Sequence, residues 1–130
     1  MRTIQFIFLL TIPFLIACDG NTDYEWIIQN NTDGLIIAEA VVKGSDERIT
    51  KTVEQNEDIT IALNGSLGGS SVQYEPAEMF ERLIIQKENG EESLKDYMMM
   101  SSWEAIIEQT NKMPSNYQHT YILTVETIHF

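Results

Sequence analysis

The sequence predicts a mainly β protein: an antiparallel β-sandwich of about seven strands, with one short helix near residues 102–110. Three observations support this fold class. Short apolar segments recur from Tyr24 onward, separated by turn-forming residues at a spacing typical of sandwiches and barrels. Several segments alternate apolar and polar residues with the period of a half-buried strand. The clearest helix-start signal is the capping box Ser-Ser-Trp-Glu at residues 101–104.

Four strands are expected in the first half of the domain. The first, at residues 24–29, is rich in aromatic and β-branched side chains, and Asn-Asn-Thr-Asp-Gly at 30–34 is a dense turn signal. The next strands are expected at 35–42, 48–53 and 58–63, with turns at 43–47 and 54–57. In the fourth strand, alternation places Ile59, Ile61 and Leu63 on one face, opposite Asp58, Thr60 and Ala62.

The second half is less regular. Residues 64–74 (NGSLGGSSVQY) form a predicted loop, and residues 76–82 allow one helical turn that starts at Pro76. A buried strand is expected at 83–87, then a hairpin turn at 88–91 that leads to residues 93–97. The capping box begins the expected helix, which directs Trp103, Ile106 and Ile107 inward. The pattern ends with a loop at 111–118 and a long strand at 120–130, with Tyr121, Leu123 and Val125 on one face and Ile122 and Ile128 on the other.

A short apolar leader precedes this domain and ends in the only cysteine of the chain. Arg2 is the one charge before Asp19, and the apolar run from Ile4 to Ile16 has about thirteen residues. A membrane-crossing helix needs roughly 20 apolar residues, so the run is too short to span a bilayer. A positive start, a short apolar region and a small residue at the end indicate an export signal.

The four residues Leu15-Ile16-Ala17-Cys18 resemble the lipobox of bacterial lipoproteins. The resemblance implies cleavage before Cys18, a thioether-linked diacylglycerol on Cys18, and a lipid-bearing N-terminus with acyl chains such as palmitate. Two acyl chains anchor a protein stably, whereas one does so only marginally. The expected organisation is a signal peptide at 1–17, a lipidated tether at 18–23 and a β-sandwich domain at 24–130. A plain secretory signal with an incidental cysteine is the alternative.

Composition limits the partners of the mature chain. Loss of residues 1–17 removes Arg2, so the formal charge moves from −12 to −13. Such an acidic chain repels phosphate backbones and anionic headgroups, which argues against nucleic acid and against a basic membrane-binding face. The remaining 113 residues suit one domain with its own core.

The mature region also resembles, more loosely, small uncharacterised envelope lipoproteins of Bacteroidota. The matching features are Trp-Ile-x-x-Asn-Asn-Thr at 26–32, Ile-Gln-Lys-Glu-Asn-Gly at 85–90, Trp103, and Tyr-x-Leu-Thr-Val at 121–125. The resemblance implies a β-sandwich in the cell envelope and brings no catalytic residues with it.

No metal or other cofactor is expected. His119 and His129 flank the last strand roughly 30 Å apart if it is straight, so they cannot share a metal, and both are expected at the surface or a sheet edge. The Asn30–Gly34 segment is interpreted as a simple turn in preference to a weak calcium site. Met98-Met99-Met100 is interpreted as core packing in preference to a Cu(I) site.

The Gly/Ser segment at 64–74 is the one candidate binding region, with Gly65, Gly68, Gly69 and Tyr74 as candidate ligand-binding residues of a mobile loop. A solvated connection is the alternative. The segment lacks the Gly-Lys-Ser/Thr ending of a phosphate-binding loop, and the chain has no Gly-x-Ser-x-Gly elbow.

The sequence therefore predicts a non-enzymatic lipoprotein of the bacterial cell envelope. It would be held at the periplasmic face or the cell surface through acylated Cys18 and would bind an unidentified envelope protein. The first alternative is a glycan- or peptide-binding module that uses residues 64–74 and nearby aromatic side chains. An enzyme based on paired carboxylates is the least supported alternative, because twenty acidic residues form such pairs by chance.

Overall fold

The computed structural model describes residues 19–130, which form seven strands and one helical turn. The strands are β1 (Asn21–Asn31), β2 (Ile36–Val42), β3 (Arg48–Val53), β4 (Asp58–Leu67), β5 (Phe80–Lys87), β6 (Glu104–Lys112) and β7 (Ser115–Glu126), and the helical turn is α1 (Pro76–Met79). The predicted mainly β sandwich of seven strands is confirmed. The predicted signal peptide and the predicted lipidation site Cys18, at residues 1–18, lie outside the described residues.

The strands form two sheets. The larger sheet has the order β4-β1-β7-β6 and the smaller sheet the order β3-β2-β5. Neighbouring strands are antiparallel except β1 and β7, which run parallel at the centre of the larger sheet, with Trp26 beside Tyr121. The inner faces of the two sheets enclose one core, as expected for a sandwich.

Aromatic side chains form the middle of this core. The rings of Trp26 and Tyr121 stack with centroids 4.3 Å apart, and those of Phe80 and Trp103 stand nearly perpendicular to Trp26. The indole N–H of Trp103 donates to the backbone oxygen of Tyr97 at 2.8 Å. The indole N–H of Trp26 has no oxygen or nitrogen acceptor among the residues that the structure describes.

The position of the short helix was predicted wrongly. Residues 104–112 form β6, and the helical turn lies at Pro76–Met79, where Pro76 occupies the first turn as expected. Only a 3₁₀ turn at Met100–Ser102 precedes Trp103, which already has extended backbone angles. The capping-box signal is local, whereas β6 pairs along its length with β7, and this tertiary pairing overrides a weak local preference. Trp103 is buried as expected, but Ile106 is exposed.

Two connections are shorter than predicted. The loop expected at 111–118 is a tight hairpin, with only Met113 and Pro114 between β6 and β7. The tether expected at 18–23 is also shorter, because β1 starts at Asn21 and pairs there with Leu67 and, one residue on, with Tyr117. Asp19 and Gly20 are therefore the two residues between Cys18 and the start of β1.

A β-bulge changes the faces of β4. The pairing of β1 with β4 shifts between Trp26 and Ile27, so that Ile61 has no direct partner opposite it. A bulge reverses the alternation beyond it. Ile61 and Ala62 are consequently both buried, and Leu63, expected on the same face as Ile61, is 73% exposed. By contrast, β3 spans the predicted residues, and Tyr121, Leu123 and Val125 face the core as predicted.

Candidate functional site

A cleft lies between β3 and β4, with a volume of about 640 Å³. This volume falls within the range of ordinary ligand sites. Strands β3 and β4 follow one another in the chain but belong to different sheets, so the sandwich is open along this side. The cleft therefore exists because β3 and β4 lie at the edges of different sheets.

Two strand edges face the cleft. Strand β3 pairs only with β2, and β4 pairs only with β1; within residues 19–130 no backbone ladder joins β3 to β4. Edge strands present backbone N–H and C=O groups that can pair with another chain. The cleft thus offers main-chain hydrogen bonding in addition to its side chains.

The cleft walls are partly apolar and partly polar, and their charges balance. Ile49, Ile61, Leu63 and Met79 supply apolar surface, and the charged lining residues are Lys43, Lys51, Glu47 and Glu78. Two of the seven Lys and Arg residues in the described part of the chain therefore lie here, on a molecule that is otherwise strongly acidic. A cleft lined by these side chains suits a bound peptide segment of mixed or neutral charge with alternating apolar side chains.

Lys51 occupies an inward-facing position of the edge strand β3, between half-buried Ile49 and buried Val53. An inward lysine on an edge strand is a common protection against uncontrolled strand pairing. Ile49, Lys51 and Leu63 were not predicted as site residues from the sequence. A charged residue on the apolar face of a strand indicates an edge strand, so Lys51 was the sequence signal that could have located this cleft.

Tyr74 is the one residue of the predicted site that lines the cleft. Its ring lies 4.9 Å from that of Tyr24, and its backbone N–H donates to the Tyr121 hydroxyl at 2.7 Å. Desolvation, followed by the nearby Glu78 carboxylate, raises the pKa of the Tyr74 phenol. The phenol is therefore neutral at physiological pH and acts as a hydrogen-bonding group at the cleft margin.

The other candidate residues lie away from the cleft. Gly65 belongs to β4 and pairs with Asp23, so residues 64–67 are strand and not loop. The backbone N–H of Gly68, which has a φ of 91°, donates to the Gly20 oxygen at 2.7 Å. Gly69 packs so closely that an added Cβ would lie 2.0 Å from the Ser115 carbonyl oxygen. These glycines allow neighbouring backbone segments to approach closely. The prediction of a mobile ligand-binding loop over 64–74 is wrong for residues 64–67, which belong to β4.

Buried polar groups hold the rest of the segment. The Thr22 hydroxyl donates to the Gly68 oxygen at 2.8 Å and accepts from the Ser70 N–H at 2.9 Å. The Ser70 oxygen lies 2.6 Å from Nε2 of His119. Thr22 and His119 are both fully buried. The segment is therefore attached to the sheet by satisfied internal hydrogen bonds, which favour a structural role.

His119 was expected at the surface, and this expectation is wrong. Its side chain is fully buried between the Gly/Ser segment and β1, because position 119 falls on the inner face of β7 together with Tyr121. A carbonyl oxygen can only accept, so Nε2 donates to the Ser70 oxygen, and Nδ1 lies 2.9 Å from the Tyr121 hydroxyl. The imidazole is an internal hydrogen-bonding element.

His129 is half-buried near the other end of β7. Its Nδ1 accepts from the Glu126 backbone N–H at 3.0 Å, and its Nε2 lies 3.4 Å from Nζ of Lys95. Desolvation, and then the Lys95 charge, lower the pKa of this imidazole, against the opposing effect of Glu126. The ring is therefore neutral at pH 7.

The remaining candidates have structural explanations. The Asn30 amide donates to the oxygens of Gly34 and Val53, and its oxygen accepts from both the N–H and the hydroxyl of Thr32. This pattern is the simple turn that was favoured. Met98 and Met100 pack against the core, as favoured, and Met99 is exposed. No cluster of three His, Cys, Asp or Glu side chains with metal-binding geometry occurs among residues 19–130.

In the described part of the chain, no helix has both the length and the apolar character needed to cross a membrane. Comparison of the chain with models of known protein families, with curated proteins and with solved structures gives no match.

Proposed function

We propose that this protein is a lipid-anchored, non-enzymatic lipoprotein of the bacterial cell envelope that binds an extended segment of a partner protein in the cleft between β3 and β4. The single observation that supports binding is this cleft, in which two unpaired strand edges flank exposed Leu63 and half-buried Ile49. Addition of a strand to an exposed sheet edge is a recurrent form of peptide recognition.

The envelope location rests on the leader and its lipobox. Cys18 follows Leu-Ile-Ala at the end of an apolar run that is too short to cross a bilayer. The acidic surface argues against attachment through anionic headgroups, so a covalent lipid is the better link. The partner accordingly lies in the envelope, beside the membrane that holds the lipid.

Peptide binding is favoured over glycan binding. Glycan sites commonly present exposed aromatic rings, whereas in the part of the chain that the structure describes every aromatic side chain is buried or half-buried. Tyr74 is the one aromatic residue in the cleft lining, and its ring packs against Tyr24. The cleft instead offers backbone edges and apolar walls.

A displayed library of random linear peptides tests the cleft. We expect selection on the purified protein to enrich peptides with alternating apolar residues, because alternate side chains of an added strand point into the cleft. Leu63→Asp should abolish binding of the enriched peptides, since it places a charge on the apolar wall. Leu94→Asp is the matched control, because Leu94 is 88% exposed and outside the cleft. Peptides that bind the Leu63→Asp protein equally well would contradict the proposal.

Metabolic labelling with a fatty acid tests the anchor. The natural chain should acquire the label and fractionate with membranes, and Cys18→Ser should lose the label, because the thioether forms on this sulfur. If the serine variant is still labelled, Cys18 is not the attachment point. If the natural chain is unlabelled and released, the leader is a plain secretory signal.

A further inference from the structure

One end of the larger sheet differs from the rest of the surface. We call it the N-terminal tip and define it as residues 20–23, 66–69 and 112–117. These segments are neighbours: the Gly20 oxygen accepts from Gly68, the Asn21 N–H donates to the Asn116 side chain, and Asn21 pairs with Leu67. The described chain therefore enters the domain at this tip.

Two large apolar side chains project from the N-terminal tip. Leu67 is 94% exposed and Met113 is 88% exposed. Leu67 ends β4, and Met113 lies in the turn before β7, with β1 between β4 and β7. With a strand spacing near 4.8 Å, the two side chains lie roughly 10 to 15 Å apart on the same end of the sheet. Leu94 and Ile128 form a similarly exposed pair near the opposite end of the sheet, so exposure alone does not select one end.

Charge separates this tip from the opposite end of the molecule. The N-terminal tip contains one carboxylate, Asp23, and one lysine, Lys112, and the adjoining Asp19 adds a single negative charge. The opposite end, which we call the distal end, comprises residues 31–34, 54–58, 88–92 and 126–129. It carries eight carboxylates, Asp33, Glu54, Glu57, Asp58, Glu88, Glu91, Glu92 and Glu126, and two lysines adjoin it, Lys87 at Glu91 and Lys95 at His129. An anionic surface would repel the distal end and tolerate the tip.

We infer that the N-terminal tip rests on the lipid bilayer, with Leu67 and Met113 inserted among the headgroups and upper acyl chains. This inference rests on the proposed lipidation of Cys18, which is two residues from Gly20 and hence within about 7 Å of it along an extended chain. An anchor this short leaves no space for a partner protein between the N-terminal tip and the membrane. The bilayer itself therefore covers the tip. The strands then carry the distal end away from the membrane.

The orientation leaves the proposed binding cleft accessible. The cleft lies along the side of the sandwich, between β3 and β4, and none of its lining residues belongs to the N-terminal tip. The bilayer therefore fixes the height and direction at which the cleft is presented. A partner held in the same membrane would meet the cleft at a constant distance.

Site-directed fluorescence on the full chain tests this orientation. A lipidated Cys18 has no free thiol, and the chain contains no other cysteine, so a single added cysteine accepts a polarity-sensitive label selectively. The informative variants are Leu67→Cys and Met113→Cys. The matched controls are Leu94→Cys and Ile128→Cys, which are 88% and 85% exposed and lie beside the distal end.

Each labelled protein is reconstituted in phosphatidylcholine vesicles that contain a lipid spin-labelled near the headgroup. We expect loss of fluorescence at positions 67 and 113, and unchanged fluorescence at 94 and 128, which lie roughly 30 Å further along the strands. Acylated protein that floats with the vesicles but shows equal quenching at all four positions, or none, would overturn the inference and leave the lipid anchor intact. Protein that lacks acyl chains and does not float would overturn the anchor, and the inference with it.

Discussion

The Tyr121 hydroxyl joins the Gly/Ser segment to β7 at one atom. It accepts from the Tyr74 backbone N–H and contacts Nδ1 of His119, whose other nitrogen binds the Ser70 oxygen. This oxygen therefore connects the end of the Gly/Ser segment to the inner face of β7. Buried polar groups that lose a partner are costly, because the group remains desolvated.

We expect Tyr121→Phe to destabilise the protein by about 1 to 3 kcal/mol, because it leaves two groups without their partner. Tyr24→Phe is the matched control. Its hydroxyl makes only a 3.4 Å contact with Ser66, and we expect a loss below about 1 kcal/mol. Urea unfolding of the purified proteins measures both values. Equal losses in the two variants would show that the Tyr121 network contributes nothing of its own.

At the scale of an element, the Gly/Ser segment is a packed part of the larger sheet. Gly69 and Gly20 both lie against the Ser115 carbonyl, where an added Cβ would overlap the backbone. A side chain at either position therefore requires the start of β7 to move. Overpacking of this kind destabilises by typically 1 to 3 kcal/mol.

We accordingly expect Gly69→Ala to lower the free energy of unfolding by about 1 to 3 kcal/mol. Gly34→Ala is the matched control, since nothing lies within 4 Å of its added Cβ. That change should be neutral or stabilise by up to about 1 kcal/mol, because alanine restricts the unfolded chain. Chemical denaturation distinguishes the two, and a neutral Gly69→Ala would return the segment to the mobile loop first expected.

The local sequence pattern was sufficient to predict the strands whose two faces differ in polarity. The alternation in residues 48–53 located β3, and that in residues 121–125 identified the buried face of β7. It failed for β6, because Ser101–Glu104 carries a local helix signal and the pairing with β7 is long-range. It also failed beyond Ile61, where a bulge reverses the faces. The cleft was not predictable, because it depends on which strands lie at sheet edges.

At the scale of the whole molecule, the core tyrosines set an alkaline limit to stability. Burial raises the pKa of Tyr97 and Tyr121 above their ordinary value of 10.0, as it does for Tyr74. For a raised pKa, the folded state holds the proton more tightly than the unfolded state. The stability from these neutral phenols is therefore complete below pH 10 and is lost as pH rises through the folded-state values.

We expect the free energy of unfolding to fall above pH 10, and to fall less steeply in Tyr97→Phe, which cannot ionise at that position. Ser93→Ala is the matched control: it removes the hydrogen bond between Ser93 and the Tyr97 hydroxyl but keeps the phenol, so its alkaline decline should remain. Denaturant unfolding between pH 8 and pH 12 gives the curves. Parallel curves for the natural chain and Tyr97→Phe would contradict the prediction.

The parallel pair of β1 and β7 also determines when the domain can fold. The two strands at the centre of the larger sheet are about 95 residues apart in sequence, as in the contact between Gln29 and Thr124. Such distant pairing slows folding, because the chain must close a long loop before the contact forms. Until β7 has been synthesised, the Trp26 ring lacks its stacking partner Tyr121. The larger sheet then lacks one of its two central strands. A partly synthesised chain therefore stays open until its last strand has been made, which suits the export that we propose for it.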